Sequence, residues 1–399
     1  MRTRWLFVCL LTACSCDKDP AADPPKDDGG SIESDAATTP DASTPVDASV
    51  PNDAGDAGKK PVGPLFAFVG SNDGKIRAYL VDEVNGTWTF KKESDAGSNP
   101  SFLAFDPSRR RVVATDETGG SGAIRSFTFD PASGGLTDLG SKPAGGAGST
   151  HVAFDPNGKW VVVANYTGGN MSIFPIDESG VLGNASDTKA SGAKSHWAGT
   201  NPSGTHVFVP ALEANVVAQY TLNAQTGKLT DNGTAALPAN AGPRHLAFHP
   251  NETYAYTINE LAVTVTTFAF DKATGKLTPK QTISALPQGQ SANGVTGAEI
   301  VVHPNGKHVY ASTRGYNSIA QLSVNASDGT LTLVNNAPTG GNQPRSFGID
   351  PEGTLLFAGN QAINQVVGFR IAPETGALTS LGKTVDVVNP TFVGLARIP

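Results

Sequence analysis

Short apolar runs alternate with turns rich in glycine, asparagine, aspartate and proline from residue 64 to the C-terminus. Residues 160–164, 207–210 and 309–312 are three such runs, each too short for a globular helix. Apolar residues do not recur at the spacing of about 3.6 residues that an amphipathic helix requires. The pattern therefore predicts a series of short β-strands joined by tight turns.

The predicted strands recur in a repeat of about 48 residues, marked by a proline after the first strand of each copy. The six marker prolines are spaced 49, 46, 48, 54 and 47 residues apart: Pro107, Pro156, Pro202, Pro250, Pro304 and Pro351. Two strands follow each proline, and a Gly-x-Leu turn, such as Gly227-Lys228-Leu229, opens the fourth. Four short strands in each repeat of this length are typical of a β-propeller blade.

The two ends of the repeat array decide the number of blades. Residues 65–89 contain a second, third and fourth strand, but no proline-marked first strand. Residues 390–397 form a first strand with nothing after it. Joining the two ends adds one blade to the six marked ones and removes the exposed sheet edges. Residues 63–399 are therefore predicted to form an all-β, seven-bladed β-propeller with four antiparallel strands per blade, the first blade being closed by the C-terminal strand.

The first 62 residues have a different composition from the rest of the chain. Residues 1–16 combine two arginines with an apolar run at 5–11, which predicts an export signal that is too short to span a bilayer. Leu11-Thr12-Ala13-Cys14 resembles a bacterial lipobox, so Cys14 is the predicted lipidation site, and an ordinary secretory signal is the alternative. Residues 17–62 lack aromatic residues and are predicted to be a disordered acidic linker. The protein is therefore expected in the bacterial cell envelope, with an N-terminal lipid as its only membrane contact.

The negative charge of the chain lies almost entirely in the predicted linker. Residues 17–62 carry a net charge of −7, whereas residues 63–399 carry only about −2. A nearly neutral propeller argues against a broad phosphate-binding surface, and so against a nucleic-acid partner. All three cysteines lie within residues 1–16, which excludes a disulfide scaffold, a thiolate metal site and a cysteine nucleophile from the propeller. The usual dinucleotide, P-loop, zinc-helix and serine-hydrolase motifs are also missing from the sequence.

The repeat register predicts which side chains gather at one end of the axial channel. The first and second strands of a blade run antiparallel, so the start of the first and the end of the second lie together. The positions six residues before the marker prolines are Ser101, Thr150, His196, Arg244, Ala298 and Arg345. The positions ten residues after the marker prolines are Glu117, Tyr166, Leu212, Glu260, Arg314 and Gln361. We call these twelve positions the predicted rim.

Charged residues are concentrated at the predicted rim of a propeller that is otherwise poor in them. Guanidinium groups that converge on one opening make an anion site, because their geometry matches a carboxylate or a phosphate. A carboxylate and an imidazole in the same cleft can act as acid–base partners. The alternative is that Arg244, Glu260 and Arg314 form a ring of salt bridges between blades. In that case Glu260 and Glu117 would saturate the guanidinium groups.

The same register divides the seven histidines. Two of them precede a marker proline, where other repeats have aspartate or asparagine, and are expected to be turn residues: His249 and His303. Two others fall at the entrance of a second strand: His206 and His308. The candidates that remain for the site are His151, His196 and His245.

The chain resembles a known family in the segment Gly242-Pro243-Arg244-His245-Leu246-Ala247-Phe248-His249-Pro250, followed by Asn259-Glu260-Leu261. These residues look like the hallmark of the 6-phosphogluconolactonase-type seven-bladed propeller lactonases. That family also includes fungal carboxy-cis,cis-muconate cyclases. Segments 164–170, 310–315 and 343–347 agree with it, and the resemblance covers about residues 64–399.

The resemblance implies a set of site residues and a reaction without metal or cofactor. It implies that the catalytic residues are His196, Glu260, Arg244 and Arg314. It implies that the substrate-binding residues are Arg345, His151, Asn165, His245 and Glu117. Where many relatives have His-x-His, this chain has Lys194-Ser195-His196.

The predicted reaction is the hydrolysis of a sugar lactone, a small-molecule substrate that is expected to be anionic. His196 or Glu260 would activate water, and the other would protonate the leaving alkoxide. Arg244 and Arg314 would hold an acidic substituent or stabilise the oxyanion. Outside the cytoplasm the substrate could be an unphosphorylated aldonolactone. The alternatives are a non-catalytic binding or scaffold propeller tethered at the envelope, and a cyclase that runs the reverse reaction. The protein is expected to be a monomer.

Overall fold

The computed structural model describes residues 63–117 and 120–398. The predicted signal peptide, the lipidation site Cys14 and the linker at 17–62 lie outside the described residues, so these boundaries stay predictions. The described chain forms seven four-stranded antiparallel sheets. The predicted seven-bladed propeller is therefore confirmed.

The first blade joins the two ends of the described chain. From the channel outward, its strands are β28 (Pro390–Arg397), β1 (Leu65–Ser71), β2 (Lys75–Asp82) and β3 (Thr87–Asp95). This order confirms that the C-terminal strand supplies the innermost position of the first sheet.

Blades 2 to 7 follow in chain order, with the first strand of each blade innermost. The strands of blades 2 and 3 are β4 (Leu103–Phe105), β5 (Arg111–Asp116), β6 (Ser121–Asp130), β7 (Gly135–Ala147), β8 (Ser149–Phe154), β9 (Trp160–Asn165), β10 (Asn170–Pro175) and β11 (Asp187–Ala190). The strands of blades 4 and 5 are β12 (Gly199–Thr200), β13 (His206–Ala211), β14 (Val216–Asn223), β15 (Lys228–Ala236), β16 (Pro243–Phe248), β17 (Tyr254–Asn259), β18 (Thr264–Asp271) and β19 (Lys276–Ser284). The strands of blades 6 and 7 are β20 (Thr296–Val302), β21 (His308–Arg314), β22 (Ser318–Val324), β23 (Leu331–Pro338), β24 (Pro344–Ile349), β25 (Leu355–Asn360), β26 (Gln365–Ile371) and β27 (Leu378–Asp386). A 3-10 turn, Gln361–Ile363, follows β25.

Apolar clusters fill the spaces between neighbouring blades. In one of them, Phe66 and Phe68 of blade 1 pack against Phe129 of blade 2, with ring centroids 5.2 and 5.1 Å apart. Each sheet lies between two others, so both faces of its inner strands are buried. This explains why β1, β9 and β13 are buried along their whole length and read as continuous apolar runs.

The residue before each marker proline organises the turn into the second strand. In blade 3, Asp155 Oδ1 accepts the N–H groups of Lys159 and Trp160, both at 2.7 Å. His249 and His303 occupy this position in blades 5 and 6, as the register predicts. Their Nε2 atoms bond to the carbonyls of Gly306 and Gly353 in the following blade, at 2.9 and 2.8 Å. These two imidazoles therefore join neighbouring blades and take no part in the channel.

Side chains as well as the β1–β28 pairing close the ring. Arg397 of β28 bonds to Glu352, in the turn between β24 and β25, and to Glu83, in the turn after β2. Thr391 Oγ1 donates to the carbonyl of Gly70, at 3.0 Å. Among the described residues, no helix has the length and apolar character of a membrane span.

Candidate active site

Five inner strands carry a β-bulge at the same height in the propeller, and the bulge in β28 of blade 1 releases Thr391. The other four bulges lie in blades 3, 5, 6 and 7. The register shifts between Ser149 and His151 in β8, Pro243 and His245 in β16, Gly297 and Ile300 in β20, and Pro344 and Ser346 in β24. A bulge leaves a residue without a cross-strand partner and redirects its side chain. The bulges in blades 3, 5, 6 and 7 release Thr150, Arg244, Ala298 with Glu299, and Arg345. The bulges therefore place residues from different blades at one level of the channel.

A pocket of about 200 Å³ opens at this level, and we call it the rim pocket. It is lined by Glu117, Thr150, Tyr166, His196, Glu260, Arg314 and Arg345. All of these residues belong to the predicted rim, and they come from six different blades. The structure thus brings together side chains that lie up to 228 residues apart in the sequence, between Glu117 and Arg345.

Glu260 lies between two guanidinium groups. Its Oε2 is 3.1 Å from Nε of Arg244, and its Oε1 is 3.0 Å from Nη2 of Arg314. Arg244 is only 2% exposed, and its Nη1 donates to the carbonyl of Ala298 at 2.6 Å. Burial, together with the charges of Arg314 and Arg345, lowers the pKa of Arg244 to about 9. Burial likewise lowers the pKa of Arg314.

The ion pairs at the rim do not saturate the guanidinium groups. Among the described residues, Nε of Arg314 is buried without a hydrogen-bond partner, whereas Nε of Arg244 faces Oε2 of Glu260. Arg345 has the loosest pairing, since its Nη2 lies 3.9 Å from Oε2 of Glu117. A ring that served only to staple the blades together would satisfy these donors. The geometry therefore favours an anion site supported by ion pairs.

A smaller cavity of about 10 Å³ lies against the rim pocket, and we call it the floor cavity. It is lined by Ser101, Phe102, Thr150, His196, Arg244, His245, Glu299, Arg345, Ser346 and Thr391. Thr150, His196 and Arg345 line both spaces. These three residues therefore form the boundary between the floor cavity and the rim pocket.

Three buried imidazoles are grouped at the floor. The ring centroid of His245 lies 5.1 Å from that of His196 and 5.5 Å from that of His151. Burial lowers the pKa of all three well below the ordinary value. For His196 and His245, the next largest cause is the charge of Arg244. All three rings are therefore held neutral at ordinary pH.

His245 has a carboxylate partner that the register analysis did not identify. Its Nδ1 lies 2.7 Å from Oε1 of Glu299, which is 7% exposed, and burial raises the pKa of Glu299 to about 7. Counting back from the marker proline selected Ala298, because the bulge in β20 holds two residues where the other bulges hold one. A lone acidic residue in an otherwise apolar inner strand was the signal that could have pointed to Glu299.

The structure brings some of the remaining candidates to the site and leaves others outside it. His151 is next to His245, and its Nδ1 bonds to the carbonyl of Ala198 at 3.0 Å. Asn165 lines neither cavity, because its side chain is fully buried and donates to the carbonyl of Ala144 at 3.1 Å. Asn165 therefore supports the blade and does not reach the rim pocket.

Lys194 lies at a neighbouring pocket of about 440 Å³. Its Nζ is 3.6 Å from Oε2 of Glu213 and 5.6 Å from the ring centroid of Tyr166, which is the side chain that the two pockets share. The position before Ser195 is thus at the edge of the site. Over residues 63–117 and 120–398, no three or more His, Cys, Asp or Glu side chains are grouped so that they could hold a metal ion.

Comparison with known proteins shows the family. The model of the family described as lactonase, 7-bladed beta-propeller, matches residues 66–395. The 6-phosphogluconolactonase of Bacillus subtilis is 33% identical over 305 residues, which cover 74% of this chain and 86% of the relative. The 6-phosphogluconolactonase of Formosa agariphila is 31% identical over 345 residues, which cover 81% and 96%.

A solved structure agrees with these sequence relatives. The periplasmic gluconolactonase of Pseudomonas aeruginosa superimposes with a TM-score of 0.78 at 25% identity, over 84% of this chain and all of that one. The match of the family model runs from β1 to β28 and so includes every blade. The chain therefore belongs to the family of seven-bladed β-propeller lactonases.

Proposed function

We propose that this lactonase opens an aldonolactone outside the cytoplasm, and that it does so in the rim pocket. One observation carries the proposal. Two guanidinium groups, those of Arg314 and Arg345, converge with His196 on the rim pocket, and Arg244 lies at the adjoining floor cavity. Among the described residues, Nε of Arg314 has no hydrogen-bond partner. The family and the named relatives support lactone hydrolysis, and the name of the Pseudomonas relative supports an unphosphorylated substrate outside the cytoplasm.

Arg244 and Arg314 stabilise the oxyanion that forms when water attacks the lactone carbonyl. Arg244 is buried, Arg314 is partly buried, and Glu260 holds both in place, so their donors need little reorganisation during the reaction. Because both oxygens of Glu260 face guanidinium groups, we assign Glu260 to positioning these two arginines. Arg345, whose ion pair is the loosest, is the residue we assign to an acidic or hydroxyl substituent of the substrate.

His196 is at the boundary of the rim pocket and the floor cavity, within reach of a lactone bound above it. Its pKa is lowered, so the ring is neutral, and its Nδ1 is buried without a hydrogen-bond partner among the described residues. Of the two residues predicted to move protons, Glu260 is held by ion pairs, whereas among the described residues no ion pair holds His196.

The second candidate function is a non-catalytic binding propeller. The ion pairs of Glu260 with Arg244 and Arg314 support this function, because they would stiffen the channel mouth even if no reaction took place there. In both cases the pocket binds an anion, so only turnover separates the two.

Proton release from 6-phosphogluconolactone and from glucono-δ-lactone, measured above the spontaneous rate with the full chain, tests the proposal. We expect turnover of the unphosphorylated lactone and a loss of at least about 100-fold in Arg244→Ala. Arg125→Ala is the matched control, because Arg125 pairs with Asp138 on the outer strands of blade 2. Rates equal to the blank for both lactones would favour the binding propeller, and turnover of the phosphorylated lactone alone would overturn the assigned substrate.

The proposed location depends on Cys14, and it has a test of its own. Lipidation at Cys14 would keep the protein in the membrane fraction of cells that express it. We expect Cys14→Ser to remove incorporation of a labelled fatty acid and to release the protein from that fraction. Equal labelling of the variant would contradict the assignment.

A further inference from the structure

The floor cavity has the size and the lining of a site for one water molecule. Its volume of about 10 Å³ is at the lower limit for a single water, which also needs two to four polar partners. Polar side chains line most of it, among them His196, His245 and Arg244. It adjoins the rim pocket through His196, so a water held there would lie next to a bound lactone.

Two ring nitrogens at this cavity have no hydrogen-bond partner among the described residues. His245 uses Nδ1 to contact Glu299, and its Nε2, on the other side of the ring, is buried without a hydrogen bond. His196 Nδ1 is also buried and unbonded. Buried polar atoms without a partner are costly, and one water between the two rings would satisfy both.

We propose that the floor cavity binds the hydrolytic water, and that His245, oriented by Glu299, is the base that takes its proton. The inference deepens the proposed function and rests on it, because it names the base that lactone opening requires. It follows the arrangement in which a buried carboxylate fixes the tautomer of an imidazole and stabilises the imidazolium. In these terms His245 is a catalytic residue and Glu299 a positioning residue.

The charges around the site favour His245 over His196 as the base. A base becomes cationic when it takes the proton, and the positive groups that face both rings oppose that change: Arg244, Arg314 and Arg345. The neighbouring imidazoles, His151 and His196, carry no compensating negative charge. Glu299 stands 2.7 Å from His245, whereas among the described residues no carboxylate is bonded to His196. His245 therefore has the counter-charge that the other imidazole lacks.

The step balances without a further reactant. The water O–H bond breaks and its proton goes to Nε2 of His245, while the water oxygen bonds to the lactone carbonyl carbon. The carbonyl electron pair moves to the oxygen that Arg244 and Arg314 stabilise. The tetrahedral intermediate then collapses, the ring C–O bond breaks, and the alkoxide takes the proton back from His245. One water is consumed, and one hydroxy acid is formed.

Glu299→Gln and His245→Gln test the inference against His303→Gln as the matched control. His303 is equally buried and also joins two blades, but it bonds to the carbonyl of Gly353 away from the site. We expect kcat to fall by about 100-fold or more in each test variant, with KM changed less than about threefold. We expect the control to keep the wild-type kcat. The double variant should be no slower than the singles, because the two residues act as a unit.

The pH profile and nitrogen NMR supply readouts that a purely structural role would not move. The base works when Glu299 is ionised, so wild-type kcat/KM should rise with pH and level off above about 7. Glu299→Gln should lose this rise. In 15N spectra of the histidines, His245 should carry its proton on Nδ1, and the variant should lose that preference.

The outcomes separate the inference from the function on which it rests. A wild-type chain that opens neither lactone overturns the proposed function, and the inference with it. An active wild type whose Glu299→Gln variant keeps kcat within about threefold overturns the inference alone. A loss of activity in His303→Gln as large as the loss in the test variants would also overturn the inference, because the effect would then not be specific to the site.

Discussion

Nε of Arg244 lies 3.1 Å from Oε2 of Glu260, and the two residues come from adjacent antiparallel strands of the same blade. The bulge in β16 releases Arg244 towards the channel, and Glu260 directly follows β17. The backbone of one blade thus sets the pair, and Glu260 then reaches across to Arg314 of blade 6. The carboxylate of Glu260 therefore positions two of the three guanidinium groups, those of Arg244 and Arg314.

Glu260→Gln is expected to reduce both activity and stability. The change leaves the buried charge of Arg244 without its carboxylate, at a cost of about 1–3 kcal/mol in the free energy of unfolding. Lactone turnover should fall by about 100-fold, because both oxyanion donors lose their position. Urea unfolding and proton release measure the two effects. Glu213→Gln is the control, because it removes a carboxylate that is paired with the exposed Lys194, and it should change neither quantity. Full activity in Glu260→Gln would refute the positioning role of Glu260.

Glu117→Gln is expected to tighten anion binding at the rim pocket. Glu117 competes for Arg345 at 3.9 Å, and a partly exposed ion pair contributes at most about 1 kcal/mol. Its removal should lower the Kd for sulfate by about two- to fivefold, as measured by calorimetry. Arg345→Ala should weaken binding instead. Weaker sulfate binding in Glu117→Gln would show that Arg345 is not the anion ligand.

Arg397→Ala is expected to loosen the closure of the ring. Arg397 is largely buried and makes two bonds each to Glu83 and Glu352, so its loss leaves both carboxylates without their partner. We expect a loss of about 1–3 kcal/mol in the free energy of unfolding, measured in urea. Lys383→Ala breaks an exposed pair with Asp386 and should cost less than about 0.5 kcal/mol. Equal losses in the two variants would count against a closing role for Arg397.

The raised pKa of Glu299 predicts a pH-dependent difference in stability. Because the folded pKa of about 7 lies above the ordinary value of 4.5, ionisation of this carboxyl opposes folding. Its stabilising contribution is complete below pH 4.5 and is lost as the pH rises to 7. The glutamine of Glu299→Gln cannot ionise. The free energy of unfolding of this variant should therefore rise relative to that of the wild type between pH 4.5 and 7. Parallel curves over this range would contradict the buried, ionisable carboxyl.

The blade count and the rim could be predicted from the sequence because both follow from the repeat. The residue before each marker proline organises the same turn in successive blades, so equal offsets from the proline reach equal heights in the channel. Glu299 was not predicted from its offset to the marker proline, because the bulge in β20 contains one residue more than the others. Asn165 was assigned to the pocket, but its side chain turns to Ala144 in the outermost strand of the preceding blade, a direction that strand periodicity does not encode.

The ion-pair network could not be predicted from the sequence, for a different reason. Both predicted arrangements, an anion site and a salt-bridge ring, use the same residues at the same heights. Only the distances separate them, since Glu260 is close to two guanidinium groups whereas Glu117 is 3.9 Å from its partner. Side-chain rotamers across blade boundaries set these distances, and no single repeat specifies them.

The innermost strand of the first blade follows all the other described strands in the sequence. Until β28 emerges, β1 presents an unpaired edge, and Thr391, which lines the floor cavity, has not been made. A nascent or truncated chain can thus build most of its sheets and still lack the finished ring. Synthesis must therefore continue through β28 before the ring is closed and the floor cavity is complete.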